Sequence, residues 1–365
     1  MRVDRLWLTD FRNYVTAELE LDSQLTAVVG ANGQGKTNLM EALAWLATLG
    51  SFRSATSEAL IRSGQGAAFV RAEGDRAGRA LLIEAEIAPK RHRVLVNRQR
   101  LARARDLLGI LRVTVFTPED LGLVKEGPAG RRQFLDTTLV ALDARHDATV
   151  REVERVLRQR NALLRQVGGR LSAEDELTLE VWDAKLAAAG ELLADARAEV
   201  VNQLRAEVAR AYSQLAGTDV PIDLCYSAAW RPGLAAALAA SRRADVARGV
   251  TLVGPHRDEL EIWLAGMPAR SHASQGEQRS LALSLRLAAH RLVTEAAGES
   301  PLLLLDDVFS ELDPARCAAL LRHLPPGQAL LTSADRLPVG TRPQRVYRVE
   351  NGRIAGVAAD EGGWN

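Results

Sequence analysis

The sequence predicts an α/β core interrupted by a helical arm, and three observations carry that expectation. An apolar strand, Leu25-Thr-Ala-Val-Val29, runs into a glycine-rich loop and then into a helix with apolar residues on one face. A second apolar run, Pro301-Leu-Leu-Leu-Leu305, ends in two adjacent carboxylates, Asp306 and Asp307. Between them, from about 129 to 215, helical periodicity continues with few Gly or Pro breaks.

In chain order, residues 1–30 alternate in polarity and predict strands, and a helix is expected from about Thr37 to Leu49, with Leu39, Leu43 and Leu46 on its buried face. Residues 67–97 alternate again and predict antiparallel strands joined by tight turns, and Val113–Phe116 predicts a strand that runs into a loop. The helical region divides at Val167-Gly-Gly-Arg170, which predicts two long antiparallel helices or several shorter ones. After about 250 the α/β pattern returns, with a helix over 276–297, the acidic strand at 301–307, a short helix, and a strand at 328–333. The expected organisation is thus 1–120 as the N-terminal half of the core with a β-rich subdomain, 121–250 as a mainly helical arm, and 251–365 as the C-terminal half.

Composition bounds the function. A chain of 365 residues with 47% hydrophobic and 25% charged residues suits a globular protein with a sizeable core. Net charge is +1, so nucleic-acid binding requires the basic residues to be segregated on one patch. The two cysteines, Cys225 and Cys317, belong to no metal-ligand cluster and are expected as buried small apolar residues in a reducing compartment. No apolar run is long enough for a membrane span and no leader pattern opens the chain, so a cytoplasmic protein without membrane contact is expected.

The loop Gly30-Ala31-Asn32-Gly33-Gln34-Gly35-Lys36-Thr37 matches the P-loop pattern GxxxxGK[ST], in the strand–loop–helix setting the pattern needs. Its glycines let backbone N–H groups wrap a phosphate, the helix N-terminus adds positive dipole, Lys36 neutralises phosphate charge, and the Thr37 hydroxyl ligates Mg²⁺. The cofactors expected are therefore ATP and Mg²⁺. Asp306, at the end of a strand buried on both faces, suits the metal role, and Asp307 suits the base that polarises an attacking water. Ser274-Gln275-Gly276-Glu277-Gln278 resembles the signature of ABC ATPases, a Ser-x-Gly-x-Gln stretch that starts a helix. Ser310-Glu-Leu-Asp313 resembles their D-loop. By that resemblance the signature faces the P-loop of a second copy, so ATP is sandwiched in a homodimer.

The order of P-loop, helical insertion, signature and acidic strand is that of an SMC-like ATPase head. Further blocks sharpen the likeness: Phe11-Arg12-Asn13-Tyr14, Phe116-Thr-Pro-Glu-Asp-Leu121, Gly127-Pro-Ala-Gly-Arg-Arg-Gln-Phe-Leu-Asp136 and Gly254-Pro-His-Arg-Asp258. With the motifs above, these resemble the bacterial RecF family from about residue 1 to 335. The resemblance implies an ABC/SMC-like P-loop ATPase head with an inserted helical arm, a role in recombinational repair at single-strand gaps, and the mediators RecR and RecO as partners. It also adds Arg12 and Asn13 to the nucleotide contacts. Three departures point to a slow timer rather than a fast ATPase. Thr117-Pro-Glu-Asp120 stands in place of a Q-loop glutamine, Thr332-Ser-Ala-Asp335 in place of a switch histidine, and Asp307 in place of the usual glutamate.

For DNA, residues 90–105 carry Lys90, Arg91, Arg93, Arg98, Arg100, Arg103 and Arg105 and no acid. Val94 and Val96 predict a hairpin with one wet basic face, which contacts phosphates or is simply solvated. Arg151, Arg155, Arg158 and Arg160 on the arm form a second candidate, diluted by Glu152 and Glu154. Alternatives to a DNA-repair ATPase are an SMC-like ATPase serving a nuclease or other non-repair system, a transporter engine, and a non-hydrolysing ATP-binding scaffold.

Overall fold

A computed structural model describes residues 1–334 and 336–357. Alternating polarity in the N-terminal third forms β1 (Arg2–Phe11), β2 (Tyr14–Glu20) and β3 (Leu25–Val29). After the glycine-rich loop come α1 (Lys36–Thr48), β4 (Ala68–Arg76), β5 (Arg79–Ile87), β6 (Arg93–Val96), β7 (Gln99–Arg100) and β8 (Val113–Phe116). The middle of the chain holds α2 (Pro128–Leu142), α3 (His146–Gln166), α4 (Ala173–Ala216), β9 (Ile222–Ser227), α5 (Leu234–Arg248), β10 (Glu259–Leu264) and β11 (Met267–Pro268). The C-terminal part holds α6 (Gln275–Ala297), β12 (Leu302–Asp306), α7 (Pro314–His323), β13 (Ala329–Ser333), β14 (Arg345–Glu350) and β15 (Arg353–Val357).

These elements divide into two compact units. The first takes residues 1–120, 211–218 and the chain from Leu283 onward, and the second takes 121–210 and 219–282.

The first unit contains two sheets. One is antiparallel, with strand order β2-β1-β4-β5-β6-β7. The other has the order β15-β14-β3-β13-β12-β8, in which every neighbouring pair is parallel except β14 with the edge strand β15. Every residue of β12 and β13 is buried, as expected for central parallel strands covered on both faces. Helix α1 packs against β1 and β4 of one sheet and β8, β12 and β13 of the other. Its burial is therefore not confined to the Leu39, Leu43 and Leu46 face, because Leu39 through Ala47 are all buried. A helix between two sheets has no wet side, which explains its apolar residues beyond the expected stripe. Strands β3 and β12 run parallel on either side of β13, so the loops leaving their carboxyl ends open on one edge of the sheet.

In the second unit α3 and α4 flank the turn at 167–170, and α2 precedes them. Residues 217–250, the end of the expected helical arm, hold the strand β9 as well as α5, and β9 joins β10 and β11 in an antiparallel sheet. Arg160 is the hub of this unit. It is fully buried on the α3 face that also carries Val153, Val156 and Leu164, which corrects its place among the arm's candidate DNA contacts. Its Nε donates to Asp183 Oδ1 at 2.7 Å, and its Nη1 donates to Asp245 Oδ2 and Thr251 Oγ1, both at 2.8 Å. Arg151, Arg155 and Arg158 remain on the wet face, paired with Asp147, Glu152 and Glu154. Removing one member of a buried ion network leaves uncompensated charge behind. Arg160→Ala is therefore expected to cost about 3–5 kcal/mol, read as a fall in the urea midpoint. A midpoint equal to wild type would contradict the hub role.

Cys225 and Cys317 are free and half-buried rather than fully buried. Cys317 sits on α7, packed against an apolar core cluster, and its Sγ also makes a weak contact with Leu312 O at 3.5 Å. Among the described residues, no helix is long and apolar enough to cross a membrane.

Candidate nucleotide-binding site

The glycine-rich loop leaves β3 and wraps into α1. Gly30 has φ 151°, and a Cβ there would lie 2.3 Å from Val349 O. Gly35 has φ 118°, and a Cβ there would collide with the Asn13 amide at 2.7 Å. Neither position tolerates a side chain, so the loop is built for close backbone approach. Ala31, Asn32 and Gly33 are exposed at its tip.

Lys36 is 6% exposed, and its Nζ donates to Gly30 O at 2.6 Å and Ala31 O at 3.0 Å. Burial pushes its pKa down, opposed by the charges of Asp307 and Asp306. The ammonium is thus curled into the loop, within the field of both carboxylates.

Asp306 ends β12, buried. Its Oδ1 accepts from Thr37 Oγ1 at 2.9 Å and Thr332 Oγ1 at 2.7 Å. Burial raises its pKa, and the two hydroxyl donors oppose that rise. Asp307 is half-buried, with φ 48° in the left-handed region, and its N–H donates to Thr332 Oγ1 at 3.1 Å. Strained non-glycine backbone of this kind is concentrated at functional sites. In the stretch that stands in place of a switch histidine, Thr332 ties the two acidic residues together; Asp335 of that stretch lies outside the described residues.

The donors fit a hard cation. Thr37 hydroxyl and Asp306 carboxylate converge, and oxygen ligands of this kind suit Mg²⁺. No group of three or more His, Cys, Asp or Glu able to hold a metal exists among the described residues. A cation here therefore needs phosphate oxygens and water to complete its shell, as Mg²⁺ bound with a nucleotide has.

The other expected residues are placed as follows. Arg12 directs Nε and Nη2 at the buried Glu41 carboxylate, 2.7 and 2.6 Å, and Nη1 at Ala59 O, 2.7 Å. Asn13 donates to Gln34 O at 2.8 Å and accepts from Asn38 Nδ2 at 2.8 Å. Ser310 Oγ donates to Asp307 O at 2.8 Å. Asp313 caps α7 by accepting from Arg316 N at 2.9 Å, and its carboxyl is held low by Arg316.

In the second unit, Ser274 opens α6 in a reciprocal capping box with Glu277. Ser274 N and Oγ both donate to Glu277 Oε2 at 2.7 Å, and Glu277 N donates back to Ser274 Oγ at 3.3 Å. Gln275 is exposed, Gly276 is half-buried, and buried Gln278 donates to Ala273 O at 3.1 Å.

The basic stretch forms the β6–β7 hairpin. Its turn residues Asn97 and Arg98 both have positive φ, 49° and 66°. Val94 points into the core at 2% exposure, while Lys90, Arg91, Arg93, Arg98, Arg100, Arg103 and Arg105 are exposed. Arg93 pairs with Glu86 at 3.4 Å.

Sequence reading quoted Tyr14 and Thr332 within motif blocks without giving them contacts, and missed Glu41 and the Asn351-Gly352 turn as parts of this site. Only the last carried a local signal, an Asn-Gly pair between apolar strands.

Fold and site together define an SMC-like P-loop ATPase head with an inserted helical unit. The family model for the RecF/RecN/SMC N terminal domain matches residues 2–329. The DNA replication and repair protein RecF of Acidothermus cellulolyticus is 45% identical over 360 residues, covering 94% of this chain and 97% of that protein. RecF of Frankia alni is 44% identical over 353 residues, covering 92% and 93%. A solved structure of the recombination mediator protein RecF-ATPrS in the RecFOR pathway superposes with a TM-score of 0.90 at 27% identity, covering 98% of each chain. An Smc head bound to the C-winged helix domain of ScpA shares the fold at 16% identity and a TM-score of 0.59. The chain belongs to the RecF family.

Proposed function

We propose that the chain is an ATP-dependent DNA-binding protein of recombinational repair and replication maintenance, acting at single-strand gaps. Slow ATP hydrolysis controls a homodimer that sandwiches two nucleotides. The observation that carries this is the meeting of Lys36, Thr37, Asp306 and Asp307 where β3 and β12 end. Lys36 sets its charge against the β- and γ-phosphates, and the Gly30–Thr37 backbone cradles them, with Arg12 and Asn13 flanking. Thr37 and Asp306 hold Mg²⁺, which supplies neutralisation of phosphate charge when bound. Asp307 accepts a proton from the attacking water. Ser274–Gln278 reads the γ-phosphate of the partner's nucleotide, and Ser310 and Asp313 lie on the dimer face. RecR and RecO are the proposed partner proteins, and the compartment is the cytoplasm.

The exposed cations of the β6–β7 region supply the DNA contact, through phosphates rather than bases. The deciding experiment is ATP turnover measured alone, with duplex and with single-stranded DNA. Stimulation by DNA is expected, and turnover indifferent to both would contradict the proposal. In the same protein, Arg98→Glu with Arg100→Glu is expected to weaken DNA binding. It should also flatten the salt dependence, by about 0.9 in log–log slope for each duplex phosphate no longer neutralised. An unchanged slope across a salt titration would remove the hairpin from the interface.

A further inference from the structure

We propose that the C-terminal hairpin turn, Glu350-Asn351-Gly352-Arg353, is a positioning clamp for the nucleotide site that fixes peptide orientation in the P-loop through Gln34. The proposal rests on the nucleotide-binding role given to that loop.

The turn joins β14 to β15 through two residues with positive φ, Asn351 at 48° and Gly352 at 71°, the geometry of a two-residue hairpin whose twist matches its strands. Both of their backbone N–H groups point at the P-loop. Asn351 N donates to Gln34 Oε1 at 2.6 Å, and Gly352 N donates to Gln34 O at 3.2 Å. Asn13 Nδ2 donates to the same carbonyl at 2.8 Å, and Tyr14 Oη donates to Gly35 O at 3.0 Å.

A peptide unit is planar and trans, so its C=O and N–H point in opposite directions. Pinning Gln34 O therefore aims the Gly35 N–H, and pinning Gly35 O aims the Lys36 N–H. These are two of the donors a phosphate needs, and donors already aimed cost no reorganisation when it arrives. The fit leaves no slack. A Cβ on Gly352 would sit 2.7 Å from Asn13 O, and one on Gly30 would sit 2.3 Å from Val349 O at the end of β14. Hairpin turn, β1–β2 turn and P-loop thus meet backbone to backbone.

Gly352→Val breaks that approach at a left-handed position. It is expected to weaken ATP and ADP binding alike, by about tenfold or more, because the clamp acts on a loop that both nucleotides use. The ATP/ADP affinity ratio should stay put. The nucleotide-induced rise in Tm, measured against each variant's own Tm without nucleotide, should shrink. Asn351→Gly keeps both N–H donors and tolerates positive φ, so it should bind as wild type. Gln34→Ala removes one acceptor without touching the hairpin and should also weaken both nucleotides, which keeps the test open if Gly352→Val folds poorly. Lys36→Ala, run alongside, separates the two ideas. If Lys36→Ala loses nucleotide while Gly352→Val and Gln34→Ala bind as wild type, the clamp is wrong and the site stands. If Lys36→Ala itself binds as wild type, the site assignment fails and the clamp with it.

Discussion

Asp307→Asn is expected to bind ATP with Mg²⁺ at near wild-type affinity and to hydrolyse it at least about a hundredfold more slowly. The backbone makes this substitution chemically clean. Asp307 has φ 48°, and asparagine is among the few residues that enter the left-handed region at little cost. Its N–H bond to Thr332 Oγ1 and its carbonyl bond from Ser310 Oγ involve main-chain atoms that the change leaves in place. Only the carboxylate's ability to take a proton is lost. Asp306→Asn should behave differently. The Asp306 carboxylate accepts from two hydroxyls, Thr37 and Thr332, and an amide turned the wrong way would set a donor against them. That variant should lose Mg²⁺-dependent nucleotide handling rather than hydrolysis alone. Single-turnover hydrolysis and equilibrium nucleotide binding, measured on both variants, separate the two outcomes. Normal turnover by Asp307→Asn would mean that another group positions the water.

The P-loop and the acidic strand are legible in the sequence because their chemistry is local. Glycines at fixed spacing, a lysine and a threonine after them, and an apolar run ending in carboxylates all lie within short windows. What surrounds them is not local. The continuous burial of α1 from Leu39 through Ala47 follows from its place between two sheets, which no helical stripe records. Arg12 and Asn13 are visible as a block, yet their bonds to Glu41 and Gln34 depend on where the β1–β2 turn lands. Arg160 reads as one more arm cation until its spacing from Val153, Val156 and Leu164 is noticed, and its carboxylate partners lie on α4 and α5. Helix α5 is missed for another reason. Its sequence, Leu-Ala-Ala-Ala-Leu-Ala-Ala-Ser-Arg-Arg-Ala-Asp-Val-Ala-Arg, has high helix propensity but too little polarity contrast for a periodic signal. The signature is the reverse case, because Ser274 and Glu277 form the capping box that an ordinary helix start would also have.

That double reading of Ser274 sets up the other large expected effect. With ATP the protein is expected to dimerise, and with ADP or without nucleotide to be monomeric or weakly associated. Ser274 stands at the N-terminus of the 23-residue helix α6, where backbone N–H groups and the helix dipole favour an anion. Its hydroxyl and N–H both donate to Glu277 Oε2, an anionic oxygen at the helix start. In the proposed dimer a γ-phosphate supplied by a second copy would replace that carboxylate. Two copies related by a two-fold axis are then expected to bury two nucleotides, each between one P-loop and the partner's signature. ADP lacks the phosphate that would make this exchange, so hydrolysis is expected to release the pair. Ser274→Arg fills the phosphate's place with a long side chain. It should leave ATP binding by the monomer nearly intact and abolish both dimerisation and ATP-dependent DNA affinity. The lost cap costs the fold only about 1 kcal/mol, and Ser274→Ala, which loses the same cap without the bulk, controls for it. Sedimentation velocity with ATP, ADP and no nucleotide reads the result, and Asp307→Asn provides the reference dimer that hydrolysis does not dissolve. A dimer of equal strength in all three conditions, untouched by Ser274→Arg, would exclude the nucleotide sandwich.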